Sequence, residues 1–427
     1  MGVATCKLNA QGVVYFLCQA PNLQRIRKVT CIMTKSSAKL KSIVRFLAEE
    51  TNGRAYSSYK YCHDGVSVPQ LNYDDDPREL AADVFAETDH RTNASIDLSK
   101  RLSKGSPIFR YFLDGSRKTY KVDDIEYDGA VYPIVAGQIC VACCQRESFS
   151  DFKKAEAFSA RTLVIPSKAN ADGDGVPSFY KSTCKSINAE CALNGTNKFG
   201  VDLSLSEVLP YDTGRKNSET KYENRAIARI QDKMIEMEKE LVSSLAQRRL
   251  LSSESYLIKD GSLQYKIPKG KDSHISAITR DNYRFVVGAS KMFNPELLAG
   301  RKKILSAKDI ADLPRYHRTP AFKYHNSEFS GDTQYAIWYV RIRDMKYSNS
   351  PFAGVLKLEK ILVTDDEREN GLPTSEIDMI TANIIDERCP VCYGSDERWA
   401  NHLYPIYLTE SFLKSQFLSD HFFISLF

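Results

Sequence analysis

No stretch of the 427-residue chain stays apolar for the length of a membrane span, which takes about 20 residues in a helix. The opening residues, Met1-Gly2-Val3-Ala4-Thr5-Cys6, lack the charged segment and following apolar run of a secretory signal. Eleven cysteines, an odd number, show no framework spacing. These absences lead us to expect a reducing, cytoplasmic protein with no membrane partner. A strong charge excess is missing too. The net charge of +5 is compatible with a nucleic-acid partner without arguing for one. The remainder is ordinary for a soluble globular protein, with 42% hydrophobic and 26% charged residues. The length allows two or three domains.

Two short stretches read almost alike. Phe109-Arg110-Tyr111-Phe112-Leu113 runs into Asp114-Gly115-Ser116, and Tyr256-Leu257-Ile258-Lys259 runs into Asp260-Gly261-Ser262. Each is an apolar, aromatic-rich run of the kind that forms a buried strand, closed by residues that suit a turn. An acid at the last position of such a strand points out of the sheet edge, where a metal or substrate can sit. Asp-Gly is also common turn chemistry, so each site means little by itself.

Residues 1–105 read as an accessory region. Val13–Leu17 and Val29–Met33 suit strands, and Leu40, Ile43, Val44 and Leu47 fall at helical spacing within Ala38–Glu50. An acidic turn covers Tyr73–Pro77, and Arg78–Phe85 suits a helix. From 106 to 144 the pattern predicts three antiparallel strands: one up to Asp114, one over Lys118–Asp123, and one over Ala130–Cys144. Asp128-Gly129 is the hairpin signal between the last two. Residues 147–220 read as an insertion with turn signals. Asp172-Gly173-Asp174-Gly175 resembles part of a calcium loop, but its twelfth position is Thr183 instead of an acid.

Tyr222–Arg249 contains no Gly or Pro, and Ile227, Ile230, Met234, Met237, Leu241 and Leu245 form one apolar stripe at 100° per residue. Glu236 and Glu240 fall on the solvated side. Glu238 falls at the edge of the stripe, either as a rim residue reaching solvent or aimed at a site, because an unpartnered buried charge costs several kcal/mol. After the second Asp-Gly-Ser comes another buried strand, Tyr283–Lys291. Ala307–Leu313 suits a short helix, Gln334–Arg343 and Val355–Val363 a strand pair, Pro373–Asp386 a helix, and Leu408–His421 an amphipathic helix after a loop.

Strand with acid, partner strands, long helix with an acid, strand with acid: this is the order of an RNase H-like α/β core, a mixed sheet flanked by helices. Three carboxylates converging at one sheet edge repel unless a cation lies between them, and hard oxygen donors select Mg²⁺ or Mn²⁺. Two such ions about 4 Å apart serve phosphodiester hydrolysis. Lys291 then suits a scissile phosphate, although a solvated strand-end lysine is the plainer reading.

The sequence resembles the NurA family of DNA-repair nucleases. The resemblance lies in Phe112-Leu113-Asp114-Gly115-Ser116-Arg117, in the helix with Met234 and Glu238, in Leu257–Leu263, in Val286–Lys291 and in Tyr404-Pro405. It covers residues 106–427, apart from the 147–220 insertion. It implies an RNase H-like fold and a Mn²⁺- or Mg²⁺-dependent deoxyribonuclease with 5′-to-3′ exonuclease and single-strand endonuclease modes. It implies a homodimer acting on DNA beside a HerA-type hexameric ATPase in a prokaryotic cytoplasm, in end processing or anti-phage defence. By the same resemblance Asp114, Glu238 and Asp260 are metal ligands and Tyr404 lies in the site, with Glu240 the alternative to Glu238. The family's closing motif places a histidine eight residues after the tyrosine, where this chain has Phe412. A non-catalytic DNA-binding or scaffold subunit of a translocase complex is the alternative. Cys389 and Cys392 form half of a zinc pattern, which Cys140, Cys143 and Cys144 would have to complete.

Overall fold

Asp128 and Gly129 take φ of 53° and 77°, the left-handed pair that a two-residue hairpin turn needs. They join Phe109–Tyr127 (β1) to Ala130–Arg146 (β2) in a long antiparallel hairpin. The computed structural model describes residues 6–8, 14–16, 43–56, 60–63, 84–89, 95–102, 107–148, 151–170, 176–191, 193, 202–214, 221–265, 280–293, 305–325, 332–344, 351–391 and 400–427. The third antiparallel strand is Phe152–Pro166 (β3), paired with β2. It comes from the segment expected as an insertion. That segment also supplies the helix Val176–Glu190 (α1) and the strand Glu207–Tyr211 (β4), which is parallel to β3.

On the other edge of β1 the sheet continues with Tyr256–Asp260 (β5), parallel to β1. Val286–Ser290 (β6) follows, parallel to β5. Gln334–Arg341 (β7) and Val355–Leu362 (β8) pair antiparallel, and β8 lies antiparallel on β6. The order through the centre is therefore β3-β2-β1-β5-β6.

Each face of this sheet is covered. The expected helix is present as Tyr222–Gln247 (α2), and its apolar stripe is buried against Leu113, Val141, Leu257 and Val286. The opposite face, with Phe112, Ile258, Val287 and Trp338, receives Thr374–Asp386 (α3) and the start of Tyr404–Ser415 (α4). Trp338 Nε1 donates to Thr381 Oγ1 of α3 at 2.9 Å, so the buried indole loses no hydrogen bond. Asp420–Ile424 (α5) closes the described chain. The expected helix over 408–421 thus starts four residues earlier, at Tyr404, and breaks before α5. Pro405 in the first turn suits that start.

The first 105 residues contribute to the same sheet. Arg54–Tyr56 and Tyr61–Cys62 pair with the far half of β1, and Ile96–Asp97 pairs with His317–Arg318 at the sheet's other end. Arg318 is fully buried between Glu87, at 2.9 Å, and Asp378 of α3, at 2.7 Å, and Arg101 reaches Asp378 at 3.0 Å. The helix expected from Ala38 is seen over Ile43–Glu50, and Val14–Phe16 is a strand. Of the helix expected over Arg78–Phe85, residues 78–83 lie outside the described residues, and Phe85 forms a bridge with Phe322. The expected strand at 29–33, the acidic turn at 73–77 and the loop at 172–175 lie outside the described residues. No described helix is long and apolar enough to cross a membrane.

Candidate active site

β1 does not stop at Asp114. The turn expected at the first Asp-Gly-Ser is absent: Asp114, Gly115 and Ser116 pair with Ala142, Val141 and Cys140 within one strand of 19 residues. The second Asp-Gly-Ser does turn. β5 ends at Asp260, and Gly261 takes a φ of 87°, open to glycine at little cost. The parallel register that pairs Lys259 with Leu113 sets Asp260 beside Asp114 one step on. From there β1 keeps its pairing with β2, while among the described residues the next strand along its other edge pairs with it only from Tyr120. The two aspartates stand where two strands part.

Alternation along the strands sorts the charges onto two faces. Gly115 faces α2, where a β-carbon would lie 2.7 Å from Glu238 Oε1 and 3.2 Å from Met234 Cγ. Lys259 faces the same way, with Nζ 3.1 Å from Glu238 Oε2. Asp114 and Asp260 therefore point to the opposite face, toward α4. There Lys291 Nζ donates to Asp260 Oδ2 at 2.8 Å and lies 3.8 Å from Glu410 Oε2. Thus Asp114, Asp260 and Lys291 are brought together, and Glu238 approaches them from the other side of the sheet through the space that Gly115 leaves.

Burial pushes the Asp114 carboxyl well above the usual range, and the charges of Asp260, Glu410 and Glu238 add to this while Lys291 opposes it. Burial also raises Glu238, with Lys259 pulling the other way. Burial alone would lower both lysines. Glu238 outweighs it at Lys259, and Asp260, Asp114 and Glu410 outweigh it at Lys291, so both ammonium groups are held more firmly charged than usual. The site is a nest of acids kept apart by two internal cations. Among the described residues no three His, Cys, Asp or Glu side chains are grouped closely enough to hold a metal ion between them.

Other side chains fix these groups in place. Glu359 of β8 is fully buried and holds the turn after Asp260. Its carboxylate accepts from Ser262 Oγ, Leu263 N and Gln264 Nε2, each at 2.8 Å. Burial would raise this acid, but Lys357 and those hydrogen bonds bring it below its ordinary value. Asn401 donates to the Lys291 carbonyl at 3.0 Å and fixes the end of β6. Neither residue was singled out from the sequence, nor was Glu410. The signal for Glu359 was slight: it is an acid flanked by Lys357 and Lys360 in a strand whose other residues are apolar.

Of the remaining sequence candidates, Glu240 and the cysteines fall away from these acids. Glu240 is exposed on the outer side of α2. Tyr404, half-buried, opens α4 six residues before Glu410, about 9 Å along the helix axis. Phe412 packs with Leu413 and Phe417 over Cys140 and Ala142 of β2, on the far side of α4 from Glu410. Cys140 and Cys143 lie in core clusters on opposite faces of β2, so they cannot share a zinc ion with Cys389, and Cys392 is outside the described residues. Burial pushes the Cys140 thiol up to about 11, far from a reactive thiolate.

No protein-family model matches the sequence, and no curated protein matches it. Among solved structures, the chain is similar to the crystal structure of the NurA nuclease from Sulfolobus solfataricus. The identity is 9% and the TM-score 0.34, over 71% of this chain and 78% of that one.

Proposed function

We propose that the protein is a metal-dependent DNA nuclease whose centre is built on Asp114 and Asp260, with Glu238 entering past Gly115. The observation that carries this reading is the adjacency of two aspartates on parallel strands at the point where those strands part, beside buried lysines. The central order β3-β2-β1-β5-β6, with three antiparallel strands followed by two parallel to β1, supports an RNase H-like core. The donor set fits a hard divalent cation, Mn²⁺ or Mg²⁺, in kind, because every donor is a carboxylate oxygen.

By the family resemblance Asp114, Asp260 and Glu238 would hold such a cation, which would supply charge neutralisation and activation of water at a phosphodiester. As they stand, Glu238 lies on the opposite face of the sheet from the aspartates, and no three acids among the described residues are grouped to share an ion. The chain's own groups do the rest. Lys291, released from Asp260, binds a phosphate oxygen and offsets charge in the transition state. Asn401 and Glu359 keep Lys291 and Asp260 from drifting, which matters because small displacements of positioned groups are costly to rate. The NurA-like order of motifs supports DNA as the substrate, a homodimer, a HerA-type translocase as partner, and a role in end processing or defence.

A rival reading is a DNA-binding or scaffold subunit without turnover. It draws on the same lysines, which neutralise Glu238 and Asp260 with no ion at all. Incubating the full chain with linear duplex and single-stranded DNA, in Mn²⁺ and in chelator, separates the two. Degradation in Mn²⁺ that the chelator stops, and that Asp114→Asn abolishes, is the expected result. DNA left intact under all conditions, with and without a HerA-type ATPase, would overturn the nuclease reading.

A further inference from the structure

We infer that the surface formed by Arg315, Tyr316 and Arg388 holds a backbone phosphate of a single DNA strand whose scissile end lies at Asp114 and Asp260. The inference rests on the DNA-nuclease reading and deepens it by giving the strand a second point of attachment.

The conformation of Tyr316 is the first support. Arg315-Tyr316-His317-Arg318 alternates basic and aromatic residues. Arg318 turns inward and is buried, whereas Arg315 is exposed and Tyr316 half-buried. Tyr316 has a φ of 65°. A bulky side chain rarely sits on this left-handed backbone, and where it does the surrounding structure imposes its direction. Here both main-chain groups are tied down. Tyr316 N donates to the Arg341 carbonyl at 2.8 Å, and the Tyr316 carbonyl accepts from Leu98 N at 3.1 Å.

Two cations gather at the imposed ring. The guanidinium carbon of Arg315 is 4.2 Å from the ring centroid, and that of Arg388 is 4.8 Å away. Both groups donate to the phenol oxygen, Arg388 at 2.7 Å. Arg315 makes no ion pair among the described residues, and Arg388 meets a carboxylate, Asp386, only at 4.0 Å. Arg343 brings a third guanidinium, which donates to the Arg388 carbonyl. Like charges drawn together in this way repel, and an anion with several oxygens relieves the repulsion. A phosphodiester fits, because each guanidinium presents paired N–H donors to two oxygens.

The third support is location. Tyr316 packs against the same apolar cluster as Phe112 and Ile258, so it lies on the face to which Asp114 and Asp260 point. It also lies at their end of the sheet. Asn401 Nδ2 donates to the Lys291 carbonyl, just past β6, at 3.0 Å and to the Val355 carbonyl, at the start of β8, at 2.5 Å. Val355 pairs with Arg341 at the end of β7, and Arg341 receives Tyr316 N. Three strand spacings of about 4.8 Å put the arginines about 14 Å from Lys291. At about 3.4 Å of strand per phosphate, that span is roughly four nucleotides.

The test is fluorescence anisotropy of a labelled oligothymidylate of about 20 nucleotides with the full chain in chelator, across a salt series. Arg315→Gln and Arg388→Gln should each weaken binding by about fivefold or more, and each should lower the salt slope by about 0.7. Lys185→Gln, an exposed control on α1, should change neither. The Arg315→Gln thermal midpoint should match wild type, which separates binding from folding. In Mn²⁺, Arg315→Gln should slow cleavage of the long strand and leave cleavage of an oligomer of about three nucleotides unchanged, because the short one cannot reach the arginines. Affinity within about twofold of wild type and an unaltered salt slope in the double variant would overturn the inference while leaving the nuclease reading intact. Should Arg388→Gln fail to fold, Arg315→Gln decides alone. A wild-type chain that neither binds the oligonucleotide nor cleaves DNA would overturn the parent reading, and this one with it.

Discussion

Glu238 reaches the sheet only because residue 115 has no side chain: a β-carbon there would stand 2.7 Å from its Oε1. The glycine that a sequence reader assigns to a turn is here a gap in the face of a continuous strand. Gly115→Ala should therefore push Glu238 and Met234 aside, at a cost of about 1–3 kcal/mol in urea unfolding. In a Glu238→Ala background, itself destabilised because Lys259 loses its buried partner, Gly115→Ala should cost much less than in wild type, so that the double-mutant cycle is strongly non-additive. Additive losses would mean that the two residues do not compete for one space.

Asp114→Asn should separate stability from activity. The acid is buried among like charges, and burial holds its carboxyl well above the usual range. Its ionised form therefore opposes folding when no ion is bound. The amide variant should unfold at higher denaturant than wild type in chelator at neutral pH, lose the extra stabilisation by Mn²⁺, and lose DNA cleavage. A variant less stable than wild type in chelator would contradict this account of the site.

The sign of the pH effect follows from the same group. In the folded chain Asp114 keeps its proton to a higher pH than in the unfolded chain. Ion-free stability should thus fall as pH rises from the ordinary carboxylate range toward the raised folded value. Mn²⁺ requires the ionised acid, so its affinity should rise over the same window, with protons released on binding. Calorimetry in two buffers of different ionisation enthalpy counts those protons. Binding with no proton release between about pH 5 and pH 7 would show that Asp114 is already ionised or not a ligand.

The first 105 residues should not be removable without cost. Glu87 is fully buried against Arg318, which also meets Asp378. Glu87→Ala leaves that guanidinium short of a counter-charge, and breaking a buried pair in this way costs about 3–5 kcal/mol. Glu87→Gln, which keeps an acceptor beside Arg318 and leaves the Arg318–Asp378 pair intact, should cost less than Glu87→Ala. If a chain starting at residue 106 unfolds at the same denaturant concentration as the whole protein, the buried network contributes nothing.

Much of this architecture was legible in the sequence, and the failures have physical causes. The stripe of α2 and the edge position of Glu238 follow from helical phase alone, which is a local property. Gly261 could be read because β5 ends there with nothing to extend it. The identical tripeptide at 114–116 misled because its conformation is decided by β2, through pairs with Ala142, Val141 and Cys140 that no local signal announces. β3 was hidden among turn-rich neighbours. Glu410 was not legible because its direction depends on how α4 docks: Thr409 on β1, Phe412 on β2. Lys259 was passed over because its partner emerges only when strand register and helix face are known together.

The unbroken course of β1 gives the two aspartates different mechanical character. Asp114 is held in mid-strand by β2 on one side and by the backbone continuing on both ends, so it behaves as a fixed abutment. Asp260 ends its strand, and its position is held through the following turn by Glu359, which accepts from Ser262, Leu263 and Gln264. One aspartate is thus secured by strand pairing and the other by a single buried carboxylate. A change at Glu359 therefore shifts Asp260 and leaves Asp114 where the sheet puts it.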